Sequence, residues 1–277
     1  MSVITCGICP HACRLEDGQT GFCRARANKN GKIVCINYGR LTSLALDPIE
    51  KKPLRRFHPG STILSAGSFG CNLRCPFCQN YEISAADGDN AKSLYVSPEA
   101  LVRKAAELKS AGNIGLAFTY NEPFISYEYV SGCAKLAHEN GLLNIVVTNG
   151  YICGGPLEKI LPFIDAMNID LKSFSEDFYR KIGGDIETVK HTIETSFEKG
   201  CHVEVTTLII PGENDSLEEM ECLSSWLSGI SPEIPLHVTR FFPRYKMSGK
   251  SPTPVGTVYG LAAAARKNLK YVYEGNC

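Results

Sequence analysis

Thirteen of the 277 residues are cysteine, and eight of these fall between positions 6 and 78. Three stand at C-x3-C-x2-C, in Cys71-Asn72-Leu73-Arg74-Cys75-Pro76-Phe77-Cys78. Three thiolates on one short loop can each hold a different iron of a cubane [4Fe-4S] cluster, which leaves the fourth iron without a protein ligand. A structural zinc would need a fourth ligand and tetrahedral closure, and neighbouring Gln79, Asn80 and Tyr81 are poor candidates. A second set, Cys6, Cys9, Cys13 and Cys23, lies in a glycine-rich segment with little core potential, where a metal can supply folding free energy. By residue type these four suit a second iron-sulfur cluster or a structural zinc equally, and His11 could replace one of them. Cys35, Cys133, Cys201 and Cys222 sit in apolar patterns and read as packing.

Twenty-nine basic and twenty-nine acidic residues cancel, which removes the general attraction to nucleic acid or an anionic membrane. The first residues lack a charged stretch followed by an apolar one, and no run approaches the length of a membrane span. The chain therefore reads as cytoplasmic, and its cysteines as ligands in a reducing compartment rather than as disulfides. Lys51-Lys52 with Arg55-Arg56 reads as a solvated basic loop, with docking of an acidic protein as the sharper alternative.

The elements that must position the cysteines begin after Pro59-Gly60, where the texture changes. Residues 1–58 form a cysteine-rich module without sustained apolar periodicity, and residues 59–277 alternate short β-branched runs with amphipathic stretches. Six strands are predicted, at 62–66, 114–119, 143–148, 166–171, 202–210 and 236–241. Helices are predicted over 98–110, 125–139, 186–199 and 217–227, with Ser97-Pro98 and either Asp215 or Ser216 as start signals and Gly112, Gly141 and Gly200 as stops. Strict alternation calls for an α/β fold with a parallel sheet, and leaves open whether that sheet curls into a barrel.

Further motifs fall at successive strand ends, where sites of parallel sheets assemble. They are Thr119-Tyr120-Asn121-Glu122-Pro123, Thr148-Asn149-Gly150, Asn168-Ile169-Asp170-Leu171-Lys172 and Ile210-Pro211-Gly212-Glu213-Asn214-Asp215. Lys172 is a cation suited to a carboxylate, and Asp170 to a hydroxyl, an ammonium or a metal, although the two could simply pair with each other. Gly212 permits close backbone approach, or serves only as a turn before a capped helix.

With its aromatic before the last cysteine, the loop resembles that of the radical S-adenosylmethionine (SAM) superfamily. The TNG and DLK motifs resemble the glycyl-radical activating enzymes, such as pyruvate formate-lyase activating enzyme. Cys-Pro-His-x-Cys near the start, Asp47-Pro-Ile-Glu-Lys-Lys-Pro-Leu54 and Val205-Thr-Thr-Leu-Ile-Ile-Pro-Gly212 are similar to the AmmeMemoRadiSam-system radical SAM proteins. The resemblance implies a partial (β/α)6 TIM barrel, a [4Fe-4S] cluster on Cys71, Cys75 and Cys78 as the catalytic centre, and SAM chelated to the open iron. It implies that SAM is cleaved to methionine and a 5′-deoxyadenosyl radical that abstracts hydrogen from the substrate. On the matching positions, Phe77 would lie against the adenine, Asn121 and Glu122 near the SAM amino group, and Thr148, Asn149, Asp170, Lys172 and Gly212 around the rest of the pocket. Where relatives carry Arg-Phe-His-Pro, this chain has Arg240-Phe241-Phe242-Pro243, so a role for that histidine is absent or passes to His237.

The expected function is reductive SAM cleavage followed by hydrogen abstraction, in an oxygen-sensitive enzyme reduced by a flavodoxin- or ferredoxin-like donor. The substrate is a glycine of a glycyl radical enzyme or, alternatively, a small molecule, lipid or peptide. The rival from another class is a non-catalytic iron-sulfur electron carrier or metal-binding protein.

Overall fold

The computed structural model describes residues 3–277. The six predicted strands form, all parallel: Thr62–Gly67, Asn113–Phe118, Leu143–Thr148, Ala166–Asp170, His202–Ile209 and Leu236–Arg240. Two more extend the sheet. Ser43–Pro48 pairs antiparallel with the first of them, and Val272–Gly275 pairs parallel with the last. Numbered β1 (Ser43–Pro48) to β8 (Val272–Gly275), the strands lie side by side in chain order, and no pairing among the described residues closes β8 onto β1. The barrel is therefore partial. Because β1 joins the sheet, it draws on residues from both sides of position 58. The edge strand was not legible because its Leu44 and Leu46 face outward, so its pattern does not alternate cleanly.

Helices α1 (Pro98–Glu107), α2 (Tyr127–Glu139), α3 (Gly154–Ile160), α4 (Glu176–Ile182), α5 (Ile186–Glu198), α6 (Leu217–Ile230) and α7 (Val255–Ala265) cover the outer face. The start signals act as read: Ser97 accepts from the Ala100 amide at 3.3 Å and Ser216 from the Glu219 amide at 3.1 Å. The unpredicted α3 and α4 have only seven residues each, too few to show a helical period. α7 is rich in alanine and glycine, which blurs its apolar stripe. Outward-facing Leu64, Leu116, Val146, Met167, Val205 and Val238 pack against helix residues such as Leu101, Val130 and Ile193 in the main core. Among the described residues, no helix is long and apolar enough to cross a membrane.

The inner face is floored by the segment after β1. Ile49 and Leu54, both fully buried, join Ile63, Ala117, Ile145 and Ala166 in a second apolar cluster. Lys52 is 2% exposed, and its ammonium donates to Asp47 Oδ2 at 2.7 Å, which also accepts from the Tyr120 hydroxyl at 2.6 Å. This corrects the reading of the basic run as a solvated loop: Lys52 is a buried member of an ion pair. The backbone amides of Arg55 and Arg56 donate to the buried carboxylate of Glu204 at 3.0 and 2.7 Å. His202 and His237 complete its shell at 3.0 and 2.6 Å. His237 therefore belongs to the floor, near the start of β7, and does not take over a histidine's role at the opposite rim.

Burial opposes ionisation of Glu204, yet hydrogen bonds from His202, His237 and the two amides outweigh it and hold the carboxyl down at about 2, against 4.5 ordinarily. A lowered carboxyl contributes stability above its unfolded pKa and loses it as pH falls toward the folded value. Glu204→Gln should remove about 3 kcal/mol at neutral pH. Its stability measured by urea unfolding should also fall less steeply than the parent's between pH 5 and about 2.

Candidate active site

The cysteine loop leaves the C-terminal end of β2. Gly70, just before Cys71, has φ +85°, and a Cβ there would stand 2.5 Å from the carbonyl oxygen of Cys23, so only glycine fits. Asn121, after β3, accepts from the Ser68 amide at 2.9 Å and donates to the carbonyls of Phe69 and Gly70 at 3.3 and 3.1 Å. It thereby spends its side chain on bracing the loop that leads into Cys71.

Glu122 is 2% exposed. One carboxylate oxygen accepts from Thr148 Oγ1 at 2.8 Å and the Phe124 amide at 3.0 Å, and the other from the Asn149 amide at 2.8 Å. Burial pushes this carboxyl up to about 7 in spite of its three donors and nearby Lys172. Asn149 carries the network onward, donating to Asn72 Oδ1 at 2.9 Å and to Cys71 Sγ at 3.6 Å. Asn72 donates in turn to the Tyr151 carbonyl at 2.7 Å. The ends of β3 and β4 are thus joined to the interior of the cysteine loop. These bonds occupy both Nδ2 hydrogens of Asn121 and three of the about four acceptor directions of Glu122, leaving one acceptor direction on each side chain.

Cys71, Cys75 and Cys78 lie close enough to act on one another electrostatically. Burial raises the Cys71 thiol strongly and lifts Cys75 to about 11, with Lys172 pulling the latter back. Donors already face the sulfurs: the Leu73 amide stands 3.4 Å from Cys71 Sγ, and the Ser84 hydroxyl 3.1 Å from Cys78 Sγ. Phe77 is buried against Phe178 of α4, ring centroids 6.0 Å apart, so its ring anchors the loop to the core.

At the end of β5, the Lys172 ammonium donates to Asp170 Oδ2 at 3.0 Å, and the charge of Asp170 helps to hold that ammonium protonated. The Lys172 amide donates to the Tyr179 hydroxyl at 3.0 Å, and Asn214 donates to the Lys172 carbonyl at 2.8 Å. Gly212, at φ +71°, lies beside open space. The sequence reading missed Asn72, Tyr179 and Asn214 as positioning residues. Asn72 and Asn214 stood inside quoted motifs, whereas nothing in the periodicity of α4 marked Tyr179.

Cys6, Cys9 and Cys23 are buried and near enough to influence one another. Cys13 Sγ accepts from the Phe22 amide at 3.4 Å. Among the described residues, neither cysteine set is drawn up to the spacing of metal ligands. Protonated thiols have no charge to share, and burial raises Cys9 to about 12. The three thiols of the loop suit a [4Fe-4S] cluster with one open iron rather than a four-coordinate zinc. Arg26, beside Cys6, Cys23 and Cys35, is buried, pairs with Glu128 through two 2.7 Å bonds, and leaves its Nε without a partner. The N-terminal segment also grips the loop directly. His11 bonds the Asn72 carbonyl at 2.8 Å and stacks on Phe22, while the Arg74 guanidinium lies 3.8 Å over the Phe22 ring.

The family model described as the radical SAM superfamily matches residues 67–221, more than half of the chain and the whole of this rim. The chain belongs to the radical SAM superfamily. An uncharacterized protein of Methanocaldococcus jannaschii is 40% identical over 99% of this chain and 81% of its own length. Pyruvate formate-lyase-activating enzyme of Clostridium pasteurianum is 28% identical over 58% of this chain and 67% of its own. Benzylsuccinate synthase activating enzyme of Thauera aromatica is 25% identical over 70% of this chain and 58% of its own. Among solved structures, a radical SAM methyltransferase from Sphaerobacter thermophilus shares the fold, at TM-score 0.58 and 18% identity over 79% of this chain and 67% of its own. Membership in the radical SAM superfamily supports an enzyme over an electron carrier, and it implies a [4Fe-4S] cluster and SAM.

Glu122→Gln would turn an acceptor into an amide donor facing a neighbour's N–H, costing about 1–3 kcal/mol by urea unfolding. A raised carboxyl makes the native state bind protons more tightly, so the parent loses stability from this group as pH rises from about 4.5 to 7. The variant should lack that slope.

Proposed function

We propose that the chain is a radical SAM enzyme in which Cys71, Cys75 and Cys78 hold a [4Fe-4S] cluster and the rim formed by Asp170, Lys172, Thr148, Asn149 and Gly212 receives SAM. The observation that carries this reading is the hydrogen-bonded chain from Glu122 through Asn149 to Asn72 and Cys71, which fixes the thiols against the strand ends. When bound and reduced, the cluster supplies the electron that splits SAM into methionine and a 5′-deoxyadenosyl radical. Lys172 offers a charge for the SAM carboxylate, and Asp170 keeps that ammonium in place. Leu73 N–H, Asn149 Nδ2 and the Ser84 hydroxyl offer hydrogen bonds to cysteine sulfurs, which favour the thiolate form and tune a cluster's potential. Phe77 and the core behind it keep water from that side of the loop.

For the substrate, similarity to two activating enzymes supports a glycine of a partner protein, whose Cα hydrogen would pass to the radical to give 5′-deoxyadenosine and a glycyl radical. A small molecule is the second reading, favoured by a cavity of about 390 Å³ beside Gln79 and Asn80, directly after the cysteine loop. A flavodoxin- or ferredoxin-like protein would serve as reductant. We also assign Cys6, Cys9, Cys13 and Cys23 to a second iron-sulfur cluster or a zinc, supported by the mutual proximity of Cys6, Cys9 and Cys23 and by the orphaned Nε of Arg26.

Anaerobically reconstituted protein given SAM and dithionite should form 5′-deoxyadenosine, and Cys75→Ala should reduce this to background. Retained cleavage in that variant would place the chemistry on another cluster. In the triple variant Cys71→Ala, Cys75→Ala, Cys78→Ala, elemental analysis should still find about one zinc or one cluster's iron per chain. Loss of all metal would leave the N-terminal cysteines as thiols. Absence of a glycyl doublet by electron paramagnetic resonance in every candidate partner would remove the activase reading.

A further inference from the structure

A cavity of about 390 Å³ opens at the rim, beside the end of the cysteine loop, lined by Gln79, Asn80, Phe242, Arg244 and Asn276. Gln79 and Asn80 follow Cys78 directly, Phe242 and Arg244 follow β7, and Asn276 follows β8. The opening therefore lies where the cysteine loop faces the unclosed end of the sheet. Its volume falls within the range of small-molecule sites.

The chemistry of the lining is one-sided. Arg244 is its one charged group, and that guanidinium has no ion pair or hydrogen bond among the described residues, whereas nearby Lys250 and Lys181 both reach Glu213. No carboxylate lines the cavity. Gln79, Asn80 and Asn276 add amide groups, although Asn80 Nδ2 is already engaged with the Tyr120 carbonyl at 2.7 Å. Lys246 adds a second positive charge on the same segment.

The segment that carries Arg244 is fixed at several points. Tyr245 has φ +51°, a conformation unfavourable for a non-glycine residue that persists only when its surroundings hold it. Its ring stacks on Tyr81 at 4.7 Å and 12°. The Lys246 amide donates to the Pro76 carbonyl at 3.0 Å, inside the cysteine motif, and Lys250 reaches Glu213 at 3.0 Å. These contacts fix the backbone that carries Arg244 against the loop that holds the thiols, while the Arg244 side chain itself is exposed at the mouth.

We propose that this cavity recognises an anionic group, a carboxylate or a phosphate, on a small-molecule substrate, with Arg244 as the specificity-determining residue. Planar guanidinium binds either oxyanion in a two-pronged geometry, and the neutral amides tolerate both. The inference takes up the small-molecule reading of the substrate and rests on the radical SAM reading for what happens to that substrate afterwards. Anion binding itself requires neither SAM nor a reduced cluster.

The test is labelling of the anaerobic holoprotein with phenylglyoxal, followed by peptide mass spectrometry of Arg244, with exposed Arg103 on α1 as the internal reference. Inorganic phosphate, succinate and neutral succinamide are compared at matched ionic strength. Phosphate or succinate at about 20 mM should slow labelling of Arg244 at least about fivefold, as expected for millimolar binding, and leave Arg103 unaffected. Protection by phosphate alone identifies a phosphate ester, and protection by succinate a carboxylate. Equal labelling of Arg244 under all conditions, or protection by succinamide as strong as by succinate, overturns the proposal. Since the readout is independent of SAM cleavage, either hypothesis can fail while the other stands.

Discussion

A carboxylate buried away from water must find donors, and Glu122 finds one in its own turn and two at the end of the neighbouring strand. That requirement ties the turn after β3 to the turn after β4. Through Asn149 and Asn72 it reaches the cysteine loop after β2. A loop of this length with three cysteines would otherwise be free to scatter them. The barrel rim acts as a template for the thiols because one unsatisfied acceptor would cost more than the ordering it imposes.

The opposite end of the barrel uses the same device. Glu204 collects two backbone amides and two histidines, and in doing so plugs the floor with the segment that follows β1. Asp47, Lys52 and Tyr120 form a second buried polar group above it, and the Tyr120 side chain starts from the rim and descends inside the barrel to reach Asp47. Floor and rim are therefore mechanically linked through the residue immediately before Asn121. The cysteine-rich N-terminal segment lies across the rim as a clamp. His11, Phe22 and Cys23 all touch the residues that frame Cys71, so the segment supports the loop whether or not it carries a metal of its own.

What the sequence determined by itself was local chemistry and local period. Cysteine spacing has one strong structural meaning, because three thiols within eight residues can face one cluster. The six apolar runs became the six parallel strands because each is buried on both faces, and no competing element could use them. The capping serines and stop glycines acted in place, since their bonds span only three or four residues. The edge strand β1, the short α3 and α4, and the burial of Lys52 were not legible. Each depends on a partner distant in sequence, and none leaves a periodic trace.

The tertiary structure alone decided which polar residues at the rim are committed and which remain free. Asn121, Glu122 and Phe77 stand in motifs whose resemblance points to a ligand, and here they also brace the loop, because burial turns most of their polar atoms or ring surface toward neighbours in the fold. Conversely, Arg244 has no motif around it and is the charge left unpaired at the mouth. A sequence shows that a side chain can bond. It does not show whether a bond from elsewhere in the fold has already taken that capacity, because pairing is set by distances between strand ends far apart in the chain, as in the 26 residues between Glu122 and Thr148 or the 77 between Asn149 and Asn72.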